Sequence, residues 1–162
     1  MEKKVLLVAI DNSKESLYSL EWTLDHLFGP VGGEDHFKLV LIHVKLQALS
    51  VLRFAGPGMG DVLPIVEADI KKTACSVVGK AKELCHKKSV KDFNVEIVEG
   101  DARSALCEAV EKHQADMLVL GSHGYGAFKR AILGSVSDYC AHHAHCTVMI
   151  VKKPKTCNKP KH

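Results

Sequence analysis

The residues best suited to chemistry lie in GSHGYGAFKRAILGS, residues 121–135, where four glycines follow directly on the apolar run MLVL. Glycine reaches backbone conformations closed to other residues and lets a ligand approach the main chain. Gly121, Gly124 and Gly134 are therefore candidates to turn their N–H groups toward an anion. Ser135 opens a helical pattern, and the free amides and positive dipole end of a helix start suit phosphate. Ser135 with Asp138 also fits a capping box, so the serine can close the helix when the site is empty and meet phosphate when it is filled. His123 reads first as a solvent-facing loop residue, though its position lets it touch a phosphate, and Lys129 and Arg130 read as surface charges that help hold an anion nearby. The stretch is not a P-loop, because no Gly-Lys-Ser/Thr follows and the lysine that braces terminal phosphates is missing. Asp11 is the one acid placed near the proposed site, whereas phosphoryl transfer needs acids for a metal and an oriented nucleophile. Turnover is expected to be slow or absent.

A second cluster, CAHHAHC at 140–146, sets His142 and Cys146 four residues apart, a spacing that aligns on a helix and raises a metal or redox reading. The weightier reading is structural. Histidines in a last helical turn interact with its negative end, and Cys140 and Cys146 read as small buried residues.

These residues must be positioned by regular elements. VLLVAI (5–10), FKLVLIHV (37–44), FNVEIV (93–98), MLVLG (117–121) and TVMIV (147–151) read as five apolar strands. Four helical patterns separate them: from Ser13 through Leu17, Leu20, Trp22, Leu24 and Leu27; from Pro64 through Val66, Ile70, Ala74, Val77, Ala81 and Leu84; from a capping Asp101 through Leu106, Ala109 and Val110; and SVSDYCAHHA. Strands alternating with helices predict one parallel sheet covered on both faces, with right-handed crossovers. FNVEIV is short and half alternating, as suits a sheet edge. Residues 47–62, with GPGMG inside, read as a long loop that could fold over a ligand. In such a sheet the ligand crevice lies beyond the carboxyl ends of the strands, where Asp11, Val44 and Gly121 fall.

The chain has 162 residues, a length that suits one domain, here 1–151, followed by a basic tail at 152–162. That tail holds five lysines and no acid, so without it the formal charge of +3 turns negative. A slightly acidic body argues against a nucleic-acid reader. The apolar start, Val5 to Ile10, is too short for a signal-peptide core and ends at Asp11, so no membrane partner is expected and the cytoplasm, with the nucleus also open, is the expected compartment. Six cysteines without CxxC spacing read as free thiols.

Gly121, two residues, Gly124, nine residues and Gly134-Ser135 form G-2x-G-9x-G-[S/T]. With VLLVAID, EWTLD, EGDAR (99–103) and residues 121–146, this pattern resembles the ATP-binding branch of the universal stress protein family, its plant form in particular. The resemblance spans Val5 to Val151. It implies an α/β fold of the adenine-nucleotide alpha-hydrolase-like, Rossmann-like class, an open parallel five-stranded sheet ordered 3-2-1-4-5. It also implies a bound adenine nucleotide, ATP or else ADP or AMP, with or without magnesium. Asp11 would then face the ribose or adenine, with Ala9 also among the nucleotide-binding residues, and the Val44 backbone would meet the adenine edge. Gly121, Ser122, His123 and Gly124 would form a first phosphate wall, and Gly134, Ser135, Val136 and Ser137 a second. The implied role is a nucleotide-dependent switch or partner-binding homodimer in stress response, paired through the strand at 147–151, with the protein partner unnamed. The alternative is a slow ATPase or nucleotide transferase.

Overall fold

KVLLVA, residues Lys4–Ala9, forms β1, and its neighbouring side chains Leu6, Leu7 and Val8 are all fully buried. Successive side chains of a strand point to opposite faces, so both faces of β1 are covered. In this computed structural model, which describes residues 2–29, 36–56, 58, 60–123 and 133–154, β1 is the centre of a five-stranded parallel sheet. The other strands are β2 (Phe37–Lys45), β3 (Phe93–Glu99), β4 (Met117–Gly121) and β5 (Thr147–Val151), and the order is β3-β2-β1-β4-β5. Leu7 pairs with Val40 on one side and Leu118 on the other, and Gly121 pairs with Val151. The order expected from the resemblance is the observed one, and β3 lies at an edge as its weak apolar pattern suggests.

Helices α1 (Lys14–Leu27) and α3 (Leu63–Lys87) cover one face, where Leu6, Val8 and Ile10 pack with Leu20, Leu24, Val77, Ala81 and Cys85. Helices α4 (Ala102–His113) and α5 (Ser135–His143) cover the other, where Leu7, Val40 and Ile42 pack with Leu106, Ala109, Val110 and Cys140. Burying one such leucine stabilises the fold by about 1.5–3 kcal/mol, and truncating it to alanine costs about 2–5 kcal/mol.

The helix boundaries follow from their caps. The Ser13 side chain accepts from the Ser16 N–H at the start of α1, and Asp101 accepts from the Arg103 N–H at the start of α4. Pro64 sits in the first turn of α3, where its missing N–H costs nothing.

One expectation fails. Residues 47–62 contain α2 (Ala48–Ala55), ended by Gly56 at φ 91, and a 3-10 turn over Gly60–Val62, so the segment is not a plain loop. The helix hid because it is only eight residues long, begins at Gln47 without a side-chain cap, and runs into the glycines of GPGMG.

Candidate functional site

The carboxyl ends of β2, β1 and β4 lie side by side, which brings Val44, the turn after β1 and Gly121 to one edge of the sheet. After Ala9 the chain continues through a tight polar turn. The Asp11 N–H donates to Ser16 Oγ at 2.8 Å, and Asp11 Oδ1 accepts from the Ser13 N–H at 2.8 Å and also from the Ser13 hydroxyl. Asp11 thus closes an Asx turn that sets up Ser13 as the cap of α1. Its Oδ1 serves the helix start, and its Oδ2 takes no part in these bonds.

Beside this turn stands His43, a residue the sequence reading missed. It is buried, and its Nδ1 lies 2.9 Å from the Ile10 carbonyl, which requires the ring hydrogen on Nδ1. The only signal was a histidine near the carboxyl end of an otherwise apolar strand.

Gly121 touches the same turn from β4. A Cβ there would lie 2.9 Å from the Glu15 carbonyl carbon and 3.2 Å from the Ser16 nitrogen, both backbone atoms in the first turn of α1. The glycine admits a helix backbone. Small buried Ser16 and Ser19 continue that close approach, with Ser19 Oγ donating to the Ser16 carbonyl at 2.8 Å.

From Gly121 the chain passes to Ser122, whose N–H donates to the Val151 carbonyl at 3.2 Å, and to His123. Ser122 is buried, and its carbonyl gathers the second motif segment. The Gly134 N–H donates to it at 2.6 Å and the Ser137 hydroxyl lies 3.0 Å away, equally close to the Gly134 carbonyl. The structure therefore brings Ser122, Gly134 and Ser137 together by bonds within the protein. Gly124, Lys129 and Arg130 lie outside the described residues.

Two expectations change here. Neither Gly121 nor Gly134 uses a positive φ, Gly134 standing at φ −71 and ψ 162. Nor does Ser135 cap α5. Gly134 is the N-cap, with no side-chain bond to the helix, and the exposed Ser135 is the first helical residue, so the capping box with Asp138 does not form. Consequently the N–H groups of Ser135, Val136 and Ser137 find no partner among the described residues. His123 Nδ1 is likewise buried without a partner among them. Such an atom calls for an explanation, and a ligand oxygen is one.

The histidines after Cys140 are engaged elsewhere. His142 Nδ1 lies 2.8 Å from the Asp138 carbonyl, His143 Nδ1 lies 2.9 Å from that of Tyr139, and His145 Nδ1 lies 2.6 Å from Glu111 Oε1. Among the described residues no group of three metal-ligating side chains could hold an ion. Nor is any helix there long and apolar enough to cross a membrane.

Comparison with known proteins agrees with this architecture. Universal stress protein PHOS32 of Arabidopsis thaliana is 31% identical over 167 residues, covering 94% of this chain, and the chain spans 66% of that relative's length. Among solved structures, universal stress protein UspA from Lactobacillus plantarum superposes with a TM-score of 0.74 at 17% identity, over 93% of this chain and 99% of that one. A universal stress protein family protein from Arabidopsis thaliana with AMP bound does so with a TM-score of 0.66 at 22% identity, over 93% and 92%. At such identities the likeness shows the fold. Residues 3–152 match the universal stress protein family model, and the chain belongs to that family.

Proposed function

We propose that the protein binds an adenine nucleotide at the carboxyl edge of the sheet, with the phosphates against the start of α5 and the ribose and base toward Asp11 and Val44. The observation that carries this reading is an asymmetry between two helix starts. At α1 the turn meets its own needs, since Ser13 caps the helix and a carboxylate already occupies the position. At α5 three amides stand uncapped, beside a His123 Nδ1 without a partner among the described residues. An anion gains about 0.3–2 kcal/mol from the positive dipole end of either helix, a gain that the Asp11 carboxylate and the filled cap offset at α1 and that stands unopposed at the free amides of α5. The AMP carried by the Arabidopsis thaliana neighbour supports the ligand class. Hydrogen bonds to Ser122 make Gly134 and the Ser137 hydroxyl supports of this cradle, and they leave the amides of Ser135, Val136 and Ser137 to grip the phosphates.

The protein acts as a nucleotide-loaded switch or partner-binding factor in stress response and not as a fast phosphotransferase, with magnesium accompanying the phosphates where ATP is bound. Asp11 Oδ1 is committed to the Ser13 amide and hydroxyl, which leaves this side chain a single free oxygen where fast transfer needs acids for a metal and an oriented nucleophile. The β5 edge, with Val148, Met149 and Ile150 half-buried, pairs with its twin to form a homodimer. The deciding experiment denatures the purified chain and identifies the released small molecule, followed by calorimetric titration of the emptied protein with AMP, ADP and ATP. An adenine nucleotide released, or bound with micromolar affinity, supports the reading. Neither release nor heat with any of the three overturns it.

A further inference from the structure

The face opposite α1 and α3 holds three thiols that the nucleotide reading leaves unused. Cys107 of α4, Cys140 of α5 and Cys146 before β5 share one cluster, with Cys140 fully buried and the other two half-buried against it. Two contacts flank these thiols, one from α4 to α5 and one from α4 to His145 just beyond the end of α5. The Arg103 guanidinium sits 5.9 Å from the centre of the Tyr139 ring, and Glu111 bonds His145 at 2.6 Å. Residues 103, 107 and 111 are four apart, so they form one stripe along α4. That stripe meets Tyr139, Cys140 and His145 in order, and it sets the Cys107 and Cys140 side chains against each other between the two flanking contacts.

We propose that Cys107 and Cys140 form a peroxide-responsive dithiol whose oxidation staples α4 to α5. The half-exposed Cys107 meets the oxidant. Its thiolate attacks one peroxide oxygen, the O–O bond breaks, and hydroxide leaves to take a proton as water, giving a sulfenic acid. The Cys140 sulfur then attacks the Cys107 sulfur, an S–S bond forms and the S–O bond breaks, and the departing hydroxide takes the Cys140 proton as a second water. The two thiols give up two electrons and two protons, and one hydrogen peroxide becomes two waters. Only Cys107 must be reached from solvent, because the second step happens inside the helix interface. Burial raises the Cys107 thiol, an effect partly offset by Cys140 and reinforced by Glu111, and burial pushes Cys140 up to about 12. Both are therefore protonated at neutral pH, and the bridge forms slowly there and faster as pH rises. Cys146 packs against the same cluster from beyond the end of α5 and is the competing partner for Cys107.

The bridge is independent of nucleotide, so the test uses the emptied full-length chain. Cys75, which is exposed, and Cys157 in the tail are replaced by serine to remove competing thiols. The protein is treated with hydrogen peroxide at mildly alkaline pH and mapped by mass spectrometry without reduction. The expected product is an intrachain link between the peptides carrying Cys107 and Cys140, lighter by two hydrogens and reversed by dithiothreitol. In a Cys107→Ser version, checked for folding by circular dichroism, Cys140 should stay a free thiol. The proposal falls if Cys107 proceeds to sulfinic acid while Cys140 remains free. It also falls if Cys107 links to Cys146 or across chains, or if Cys140 oxidises as readily without Cys107.

Discussion

Replacing Gly121 by alanine tests whether this glycine exists for the fold or for the ligand. The added methyl would lie 2.9 Å from the Glu15 carbonyl carbon, 3.0 Å from its oxygen and 3.2 Å from the Ser16 nitrogen. None of these is the free end of a side chain. All belong to the first turn of α1, which is held by the Ser13 cap on Ser16 and by the Asp11 N–H on Ser16 Oγ. Relief therefore requires α1 to move as a body off β4. Overpacking of this kind costs about 1–3 kcal/mol, against which alanine regains only about 0.4–1 kcal/mol through a less flexible unfolded chain. The net cost at the middle of these ranges is about 1.3 kcal/mol, and for a chain of this size each kcal/mol is worth about 2–4 °C, so the melting temperature of the nucleotide-free protein should fall by roughly 3–5 °C. Thermal and urea melts followed by circular dichroism read this directly. A variant that melts within about 1 °C of the parent while losing nucleotide would show that the glycine serves the ligand, and the packing argument would fail.

Gly79 provides the opposite case. It lies exposed within α3, and a methyl group added there would meet nothing within 4 Å, so Gly79→Ala should stabilise the protein by about 0.5–1 kcal/mol, read as a rise in melting temperature. Glu96 of β3 bonds Lys112 and His113 of α4, each at 2.5 Å, and these bonds, Lys112 first, hold its carboxyl below the usual range. A lowered folded value contributes stability above the unfolded carboxylate value, and that contribution is lost as pH falls through the folded value. The stability gap between parent and Glu96→Gln should thus be open at pH 7 and close as pH drops below about 4.3. Urea melts across that window check it, and a gap that stays constant with pH refutes it. At the other edge of the sheet, Val148→Lys should convert a dimer into a monomer in sedimentation velocity at micromolar concentration. A parent that already sediments as a monomer rules out the β5 pairing.

Much of the architecture was legible because strands buried on both faces, such as VLLVAI and FKLVLIHV, announce themselves as unbroken apolar runs. Caps were legible too: Ser13 and Asp101 sit where a helical pattern begins and bond as their chemistry requires. The strand order came from the resemblance, since no local pattern says that β1 lies between β2 and β4. What stayed hidden depends on partners distant in sequence. Nothing in GSHG says that α1 presses on Gly121. The stripe 103, 107, 111 likewise gains meaning only when α5 lies on it. In the same way Ser135 and Asp138 satisfy a capping-box spacing, yet the chain enters α5 with Gly134 as N-cap because its N–H is already tied to the Ser122 carbonyl.

That entry geometry allows the fold and the proposed phosphate grip to be separated by one substitution. Ser135 is the first residue of α5, where proline is well tolerated because the N–H it lacks has no helical partner. The residue before a proline must be extended, and Gly134 already is, at φ −71 and ψ 162. The exposed Ser135 side chain makes no bond that caps the helix, so little else is lost. Ser135→Pro should therefore leave stability unchanged or raise it by about 0.4–1 kcal/mol through a stiffer unfolded chain. The same change deletes one amide aimed at the proposed anion. A hydrogen bond to a charged group is worth about 1.5–3 kcal/mol, so affinity for an adenine nucleotide should fall by roughly 10- to 150-fold. Calorimetry and a thermal melt on one preparation read both quantities. Undiminished affinity in a stably folded Ser135→Pro protein would mean that the phosphates do not rest on the start of α5, whatever ligand the sheet edge holds.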